Sequence, residues 1–229
     1  MKNKKNKNQI GCFHISYPRK MGRDVCSWGL QAGVTCPAKC DPATGKLWPV
    51  CSGCYALEGN YYGPDTKRVR AYNMQAWQLP DFVADAVLAI DGRFKYVRWF
   101  DSGDICSPEL GYKILAIAQR TPNARHWIAS KALALDAPQW QELRSRLEAQ
   151  PNIALRVCYG HLDGKPKPQH TAIVLPHGVT PAVKAHVCPA ERQGGECGAC
   201  KACWNAAGVR VVAYRPHGTR IKSVLKQGG

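Results

Sequence analysis

The stretch FKYVRWFDSGDICSPELGYKILAI, residues 94–117, decides the fold class. Its first part, Phe94 to Phe100, is rich in aromatic and β-branched side chains and predicts a strand. The polar turn Asp101-Ser-Gly-Asp104 follows, and Ser107 and Pro108 then supply an N-cap and a proline at the first helical position. The helix that they open carries its apolar side chains on one stripe: Leu110, Ile114 and Ile117. A strand followed by a helix in this way is half of a parallel β-α-β unit.

The same alternation extends to both sides of this stretch. Apolar spacing predicts a helix from Ala71 to Ile90, which Pro80 interrupts or restarts. Other segments have strand or helix patterns: strands at 12–17, 125–129, 153–158, 172–175 and 209–214, and a helix that begins near Asp136. We therefore predict an α/β fold, a partial or small (β/α) barrel with Cys-rich metal-binding loops. A Rossmann sheet is less suitable because the chain has no Gly-rich dinucleotide fingerprint.

Functional side chains of parallel α/β folds lie at the carboxyl ends of the strands. The turn Asp101-Ser-Gly-Asp104 ends one predicted strand, and Lys131 follows the next. We predict that Asp101, Ser102, Asp104 and Lys131 are catalytic, with the acids binding or deprotonating substrate and Ser130 or Lys131 orienting it. The alternative is that the turn only caps the helix after it.

Twelve cysteines in 229 residues point to metal chemistry. No window approaches the ~18 apolar residues of a membrane span, and the polar N-terminus lacks the apolar segment of a secretory signal. We therefore expect a cytoplasmic protein without a membrane partner. In a reducing compartment, many cysteines indicate metal or redox sites rather than disulfides.

The C-terminal cysteines give the stronger signal. Cys197, Cys200 and Cys203 form a C-x2-C-x2-C run, the local pattern of cubane-cluster ferredoxins, and Cys188 is the nearest fourth ligand. We predict a 4Fe–4S cluster here. A structural zinc site with four cysteine ligands is the alternative, although zinc sites usually consist of two separate knuckles.

The N-terminal cysteines are more loosely spaced. Cys36 and Cys40 form a C-x3-C pair, Cys51 and Cys54 form a C-x2-C pair, and a turn separates the two. We predict all four as metal ligands. Two knuckles also suit zinc, so one or two 4Fe–4S clusters, or one cluster with zinc, are open at this point.

The order of motifs resembles the phage gene product eighty-eight family of Cys-rich proteins. The resemblance rests on five motifs, which run from about residue 25 to His217: Thr35-Cys36-Pro37, Cys51-Ser-Gly-Cys-Tyr-Ala56, Asp101-Ser-Gly-Asp104, Cys188-Pro189 and Cys197-x2-Cys-x2-Cys-Trp204. It implies an iron–sulfur protein in the cytoplasm of an infected host. It also implies Cys36, Cys51 and Cys54 as ligands of the first site and the four C-terminal cysteines as ligands of the second.

A more distant architectural likeness is to radical S-adenosylmethionine enzymes. Those enzymes carry three cysteines in a loop after the first strand, and a short Gly-acid turn at the second strand holds the amine of the cofactor. The likeness implies Ser102, Gly103 and Asp104 as cofactor-binding residues and S-adenosylmethionine as a cofactor. The chain departs from that pattern, because ten residues separate Cys40 from Cys51.

The composition divides the chain into residues 1–10, a disordered basic tail, and residues 11–229, a single iron–sulfur (β/α) domain. A Cys-rich module occupies about 186–206 of that domain. We predict an iron–sulfur enzyme with an open iron position near the strand-end acids, which performs radical-type or Lewis-acid, hydrolytic chemistry on a small-molecule substrate.

Two other functions are open. The formal charge is +16, and a basic protein stapled by metals could bind nucleic acid. The aromatic and basic residues between 61 and 72 would then stack on bases and neutralise phosphates. The third function is electron transfer with an electron donor as partner, which needs a cluster but no acidic turn.

Overall fold

The computed structural model describes residues 8–227. Its strands, in chain order, are β1 Gln9–Ile10, β2 Phe13–His14, β3 Val25–Trp28, β4 Tyr96–Trp99, β5 Arg125–Ser130, β6 Ile153–Val157, β7 Ala172–Val174, β8 His186–Val187 and β9 Val212–Tyr214. The centre is a four-stranded parallel sheet in the order β3-β4-β5-β6. The predicted α/β class is confirmed, and residues 8–227 form no closed barrel.

Six α-helices accompany the strands in the described residues: α1 Pro49–Ser52, α2 Pro64–Ala76, α3 Phe82–Ile90, α4 Pro108–Arg120, α5 Pro138–Ala149 and α6 Thr219–Gln227. The predicted helix from Ala71 to Ile90 is interrupted at residues 77–81, as Pro80 indicated. Helices α4 and α5 each begin with a proline, which has no backbone N–H to leave unpaired at this position. None of the helices in the described part is long and apolar enough to cross a membrane.

The two faces of the central sheet are covered by different parts of the chain. One face packs against α3, α4 and α5 through a large apolar core that includes Trp28, Trp99 and Ile128. Side chains alternate along a strand, so the intervening residues point to the opposite face. We call that opposite face the cysteine face, and its central residues are Val25, Ser27, Tyr96, Arg98, Trp127, Ala129 and Arg156. Trp204, Cys197 and Cys203 pack on it with Val25 and Trp127.

A smaller parallel sheet in the order β7-β9-β8 lies beside β6. An isolated parallel bridge joins Cys158 to Ala172, and Thr171 donates its N–H to the Val157 carbonyl at 2.9 Å. The end of β6 is therefore hydrogen-bonded to the start of β7. This contact brings the C-terminal third of the chain next to the carboxyl end of the central sheet.

Several local predictions differ from the structure. The strand β3 was not predicted, and the strand predicted at 12–17 is reduced to the two residues of β2. Helix α6 was also missed. The predicted tail includes β1, while its residues 1–7 lie outside the described part of the chain.

Candidate metal centres

The turn at the end of β4 holds the loop that carries Cys36. Leu30 donates its N–H to the Ser102 carbonyl at 2.9 Å, and the Ser102 hydroxyl donates to the Leu30 carbonyl at 2.7 Å. Gly103 has φ +76°, and a Cβ there would lie 2.7 Å from the Thr35 hydroxyl. The turn therefore packs directly against the residues before Cys36, and a side chain at position 103 would push them away.

The Cys51–Cys54 turn is enclosed by two other parts of the chain. Cys51 belongs to α1, and a Cβ on Gly53 would lie 2.7 Å from the Ile221 Cα of helix α6. On the other side, Val50 donates its N–H to the Gly160 carbonyl at 3.2 Å. The loop after β6 and helix α6 thus fix this pair of cysteines at the carboxyl end of the sheet.

Lys131 extends from the end of β5 into the group of thiols that these segments bring together. Its side chain is half-buried, and it is hydrogen-bonded to Cys51. Burial alone would lower the pKa of Lys131, but negative charge on Cys51, Cys158, Asp104 and Cys36 raises it. The first cysteine site therefore surrounds a cation.

The thiols around Lys131 are held away from water. Burial raises the pKa of Cys36 to about 12 and that of Cys158 to about 11, and it also raises the pKa of Cys51. Each of these groups is affected by Lys131, whose positive charge lowers the pKa. Cys54 adjoins Cys51 and acts on its pKa. Cys51 acts on the pKa of Cys36 in the same way, so the three cysteines are neighbours, and their role as metal ligands stays a prediction.

Asp104 connects the ends of β4 and β5. One oxygen accepts the N–H of Ile105 at 2.8 Å, and the other accepts the N–H groups of Lys131 at 2.9 Å and of Ala132 at 3.4 Å. Its side chain is buried, and this burial raises its pKa. Within the described chain, Lys131 forms no ion pair with a carboxylate.

Asp101 lies in a different environment from Asp104. Both of its carboxylate oxygens are 2.7 Å from Nη2 of Arg70, and both side chains are buried. Arg70 and Asn73 on α2 also donate to the Gly29 carbonyl at the end of β3. The structure therefore places Asp101 in an ion pair that joins α2 to two strand ends, and its predicted catalytic role stays a prediction.

Cys40 and Cys158 have contacts that differ from those of the three predicted ligands described above. Cys40 forms an isolated antiparallel bridge with Leu47, at the base of a hairpin that projects from the loop. The Cys158 thiol is directed toward the Arg156 carbonyl, with a sulfur-to-oxygen distance of 3.5 Å. A thiol that donates to a carbonyl retains its proton, which a metal ligand does not.

The second site forms where the Cys-rich module lies against the cysteine face. Cys188 donates its N–H to the Ala213 carbonyl at 2.8 Å, and Cys197 donates to the Lys20 carbonyl at 2.8 Å. Burial raises the pKa of Cys197, and the neighbouring Cys188 raises it further. Cys188, the fourth ligand that the sequence predicts, therefore lies beside Cys197, and the four cysteines as metal ligands stay a prediction.

Two arginines, the buried Arg156 and the half-buried Arg98, support this module in different ways. Arg156 on β6 donates to four backbone carbonyls, those of Ala202 and Cys203 in the module and those of Val209 and Arg210 after it. Arg98 on β4 donates to the Tyr55 hydroxyl at 3.1 Å, has Met21 Sδ 3.8 Å from Nη1, and keeps Nε buried without a partner. Its positive charge lowers the pKa of both Cys197 and Cys203. Arg98 thus places positive charge beside the thiols of the second site, as Lys131 does at the first.

A family model described as gene product 88 matches residues 1–206. The chain belongs to the gene product 88 family. Both sets of cysteines lie inside the matched range, whereas β9 and α6 lie after it. The resemblance noted in the sequence extended to His217, eleven residues beyond the end of the match. No curated protein and no solved structure matches the chain significantly.

The structure adds two residues to the second site of this gene product 88 protein that sequence reasoning missed. His186 places Nε2 3.4 Å from Cys200 Sγ, and Tyr214 places its hydroxyl 3.2 Å from Cys203 Sγ. Both belong to the small sheet: His186 lies in β8, and Tyr214 is the last residue of β9. No local spacing could have identified them, because the contacts depend on how β8 and β9 pair.

The kind of metal group that the cysteines can hold depends on how their thiols are arranged. In residues 8–227, no group of three or more His, Cys, Asp and Glu side chains is arranged to hold one metal ion. In a cubane cluster each thiolate binds a different iron, so its sulfur ligands lie farther apart than those of a single zinc ion. Groups of cysteine thiols beside a buried cation have the donor chemistry that such a cluster requires.

The segment that was considered for nucleic-acid binding is only partly available. Tyr62 is exposed and Lys67 lies over its ring, 3.3 Å from the centroid. Arg68 is also exposed, although it pairs with Asp65. Arg70, in contrast, is buried against Asp101. Nucleic-acid binding by this gene product 88 protein stays a prediction.

Proposed function

We propose that this chain is an iron–sulfur enzyme whose reactive centre is held by Cys36, Cys51 and Cys54 at the carboxyl end of the central sheet. A second cluster, held by Cys188, Cys197, Cys200 and Cys203, lies against the cysteine face. The observation that carries the proposal is Lys131, a half-buried cation that lies among thiols. The partial (β/α) barrel predicted from the sequence belongs to this proposal, with the β6-to-β7 contact as its support.

Charge balance favours a metal cluster at the first site. A cation taken out of water is costly unless an anion is close to it, and Lys131 has no carboxylate ion pair in the described part of the chain. Thiols are neutral at pH 7 when burial raises their pKa, but a thiol that binds a metal is deprotonated outright. Metal binding would therefore add negative charge beside Lys131, to which Asp104 already contributes without forming an ion pair. At the second site, metal binding by Cys197 and Cys203 would in the same way add negative charge beside Arg98.

The open coordination position follows from the role of Cys158. In this proposal three of the thiols in the loop after β3 bind the cluster. Cys158 adjoins them from the end of β6, but its thiol is directed to the Arg156 carbonyl. Three protein ligands leave one iron of a four-iron cluster without a protein ligand. That iron supplies Lewis-acid or one-electron chemistry to a bound substrate.

The residues around this position then have separate tasks. Lys131 donates hydrogen bonds to a thiolate and to an anionic group of the substrate. Asp104 holds the backbone of Lys131, so we assign it a positioning role. Ser102 and Gly103 hold the Cys36 loop. Because the side chains of the turn are already hydrogen-bonded within the chain, the geometry supports S-adenosylmethionine less directly than it supports the cluster.

The experiment is anaerobic reconstitution with iron and sulfide, followed by absorption and electron paramagnetic resonance spectra. We expect the wild-type chain to show two clusters and the variant Cys36→Ala to show only the second. Cys12→Ala is the matched control, because Cys12 is buried between β1 and β2, away from both sites. Equal spectra for wild type and Cys36→Ala would disprove the first site.

Two further measurements distinguish the chemistries. Cys158→Ala should retain the full iron content of both clusters, whereas a loss of iron would make Cys158 the fourth ligand and close the open position. Addition of S-adenosylmethionine to the reduced protein should perturb the resonance of the first cluster if the chemistry is radical-type. An unperturbed spectrum assigns the Lewis-acid chemistry instead.

A further inference from the structure

Tyr214 lies between the two cysteine sites. Its hydroxyl is 3.2 Å from Cys203 Sγ of the second site. Cys158 pairs with Ala172, Ala172 pairs with Val212, and Tyr214 is two residues after Val212 on the same side of the sheet. Negative charge on Cys203 and on Cys158 contributes to the raised pKa of Tyr214, after the effect of burial. One phenol therefore adjoins Cys203 of the second site and Cys158, which lies beside the first site.

A second set of contacts also leads from Tyr214 toward the first site. The ring of Trp127 stacks on Tyr214, with 6.3 Å between centroids and 18° between planes, and Arg98 lies 4.8 Å from the Trp127 centroid. Arg98 then donates to the hydroxyl of Tyr55, the residue after Cys54. A chain of contacts through Trp127 and Arg98 thus leads from Tyr214 to the residue next to Cys54.

The second site also has an opening to solvent that is lined by basic residues. A cavity of about 330 Å³ is bordered by Cys200 and His186 together with Arg125 and Lys201. The first site is covered by α6 and by the loop after β6, where the Trp48 ring lies against Gly160. The cavity gives an external protein a place to dock beside Cys200.

We propose that the second cysteine site relays single electrons to the first through Tyr214, and that the donor is a small acidic one-electron carrier protein that docks at the Cys200 cavity. This inference rests on the proposed function. The net charge of +16 and the basic lining of the cavity favour an acidic partner.

The electrons and protons balance at each step. The carrier is oxidised by one electron as the second cluster is reduced by one, and the second cluster is reoxidised when the first accepts that electron. No covalent bond forms or breaks. Tyr214 keeps its proton throughout and donates a hydrogen bond to the Cys203 thiolate, which favours the reduced, more negative state of that cluster.

The test follows reduction of the first cluster by freeze-quench electron paramagnetic resonance, with reduced plant-type ferredoxin or with dithionite as the reductant. In Cys203→Ala, which should lose the second cluster, we expect ferredoxin to reduce the first cluster no longer, while dithionite still does. Reduction by ferredoxin at the wild-type rate in Cys203→Ala would overturn the relay.

The variant Tyr214→Phe removes the hydroxyl and keeps the ring, so it tests the contribution of the hydroxyl alone. We expect this variant to keep its iron, to have a lower midpoint potential at the second cluster, and to show reduction of the first cluster by ferredoxin that is slower by about tenfold or more. Tyr159→Phe is the matched control, since its hydroxyl contacts Asp163 on an exposed loop. An unchanged rate and potential in Tyr214→Phe would remove Tyr214 from the path. Absence of both clusters from the wild-type chain would contradict the proposed function itself.

Discussion

At the scale of the residue, the ion pair between Arg70 and Asp101 should be a structural contact. Replacing Asp101→Asn leaves the Arg70 guanidinium buried without its anion, and removal of one member of a buried pair costs about 3–5 kcal/mol. We expect this loss in the free energy of unfolding, measured by chemical denaturation. The double variant Arg70→Met/Asp101→Asn should recover part of the loss. If Asp101→Asn unfolds at the wild-type denaturant concentration and only turnover is lost, Asp101 is catalytic.

His126 should make the stability of the fold depend on pH. Its Nδ1 accepts from Trp99 at 3.1 Å and its Nε2 lies 2.9 Å from the Thr121 hydroxyl, which itself donates to Ile117. Nε2 therefore carries the proton of a neutral ring. Burial lowers the pKa of His126 from 6.5 to about 4. Because the unfolded chain takes up a proton first, stability from this group is present above pH 6.5 and is lost as the pH falls toward 4.

The measurement for His126 is the unfolding free energy of the wild type and of His126→Gln at pH 7 and pH 5. The variant is less stable at pH 7. The difference in unfolding free energy between the two proteins should be smaller by about 2 kcal/mol at pH 5. A difference of constant size would show that His126 takes up a proton as readily in the folded protein as in the unfolded chain.

The residue contacts also define what the sequence could and could not predict. Cys197, Cys200 and Cys203 lie within seven positions, so their spacing alone indicated a shared site. Lys131, Arg98 and Tyr214 come from different strands, and only the pairing of those strands brings them to the thiols. The acidic turn was correctly predicted at a strand end, but its hydrogen bonds to Leu30 and to the backbone of Lys131 depend on the neighbouring loops.

At the scale of the element, the loop from Gly29 to Cys36 should control the first site. Gly103→Ala puts a Cβ 2.7 Å from the Thr35 hydroxyl and 2.8 Å from the Leu30 carbonyl. We expect this variant to lose the first cluster and keep the second. Gly92→Ala is the control, because Gly92 has a similar φ of +66° with nothing within 4 Å of an added Cβ. Both variants bear the backbone strain, of about 1–3 kcal/mol, but only Gly103→Ala should lose iron. Equal iron contents would mean that this loop does not position Cys36.

The elements differ in how readily the sequence reveals them. Strands β4, β5 and β6 and helices α4 and α5 were predicted because each carries a regular apolar pattern over several residues. Strand β3 has only four residues, Val25–Trp28, and is buried on both faces, so it shows no alternation. Helix α6 has a basic, mostly polar sequence whose buried contact is Ile221 against Gly53, a contact that only the folded chain reveals.

At the scale of the whole molecule, the excess of positive charge should govern the encounter with an acidic electron carrier. Attraction between opposite net charges accelerates association and is screened by salt. We expect the rate of reduction by ferredoxin to fall as ionic strength rises from about 0.01 to 0.15 M, while the rate with dithionite changes less. Measurement by stopped flow checks this. A ferredoxin rate that is independent of salt would exclude an electrostatic docking surface.

The central claim is that two groups of thiols, each beside a half-buried cation, hold iron–sulfur clusters. Its most direct test is the content of iron, acid-labile sulfide and zinc in the anaerobically purified wild-type protein, with Cys36→Ala and Cys188→Ala measured beside it. We predict equal iron and sulfide sufficient for two clusters in the wild type, and for one cluster in each variant. Stoichiometric zinc without labile sulfide in the wild type would contradict the account.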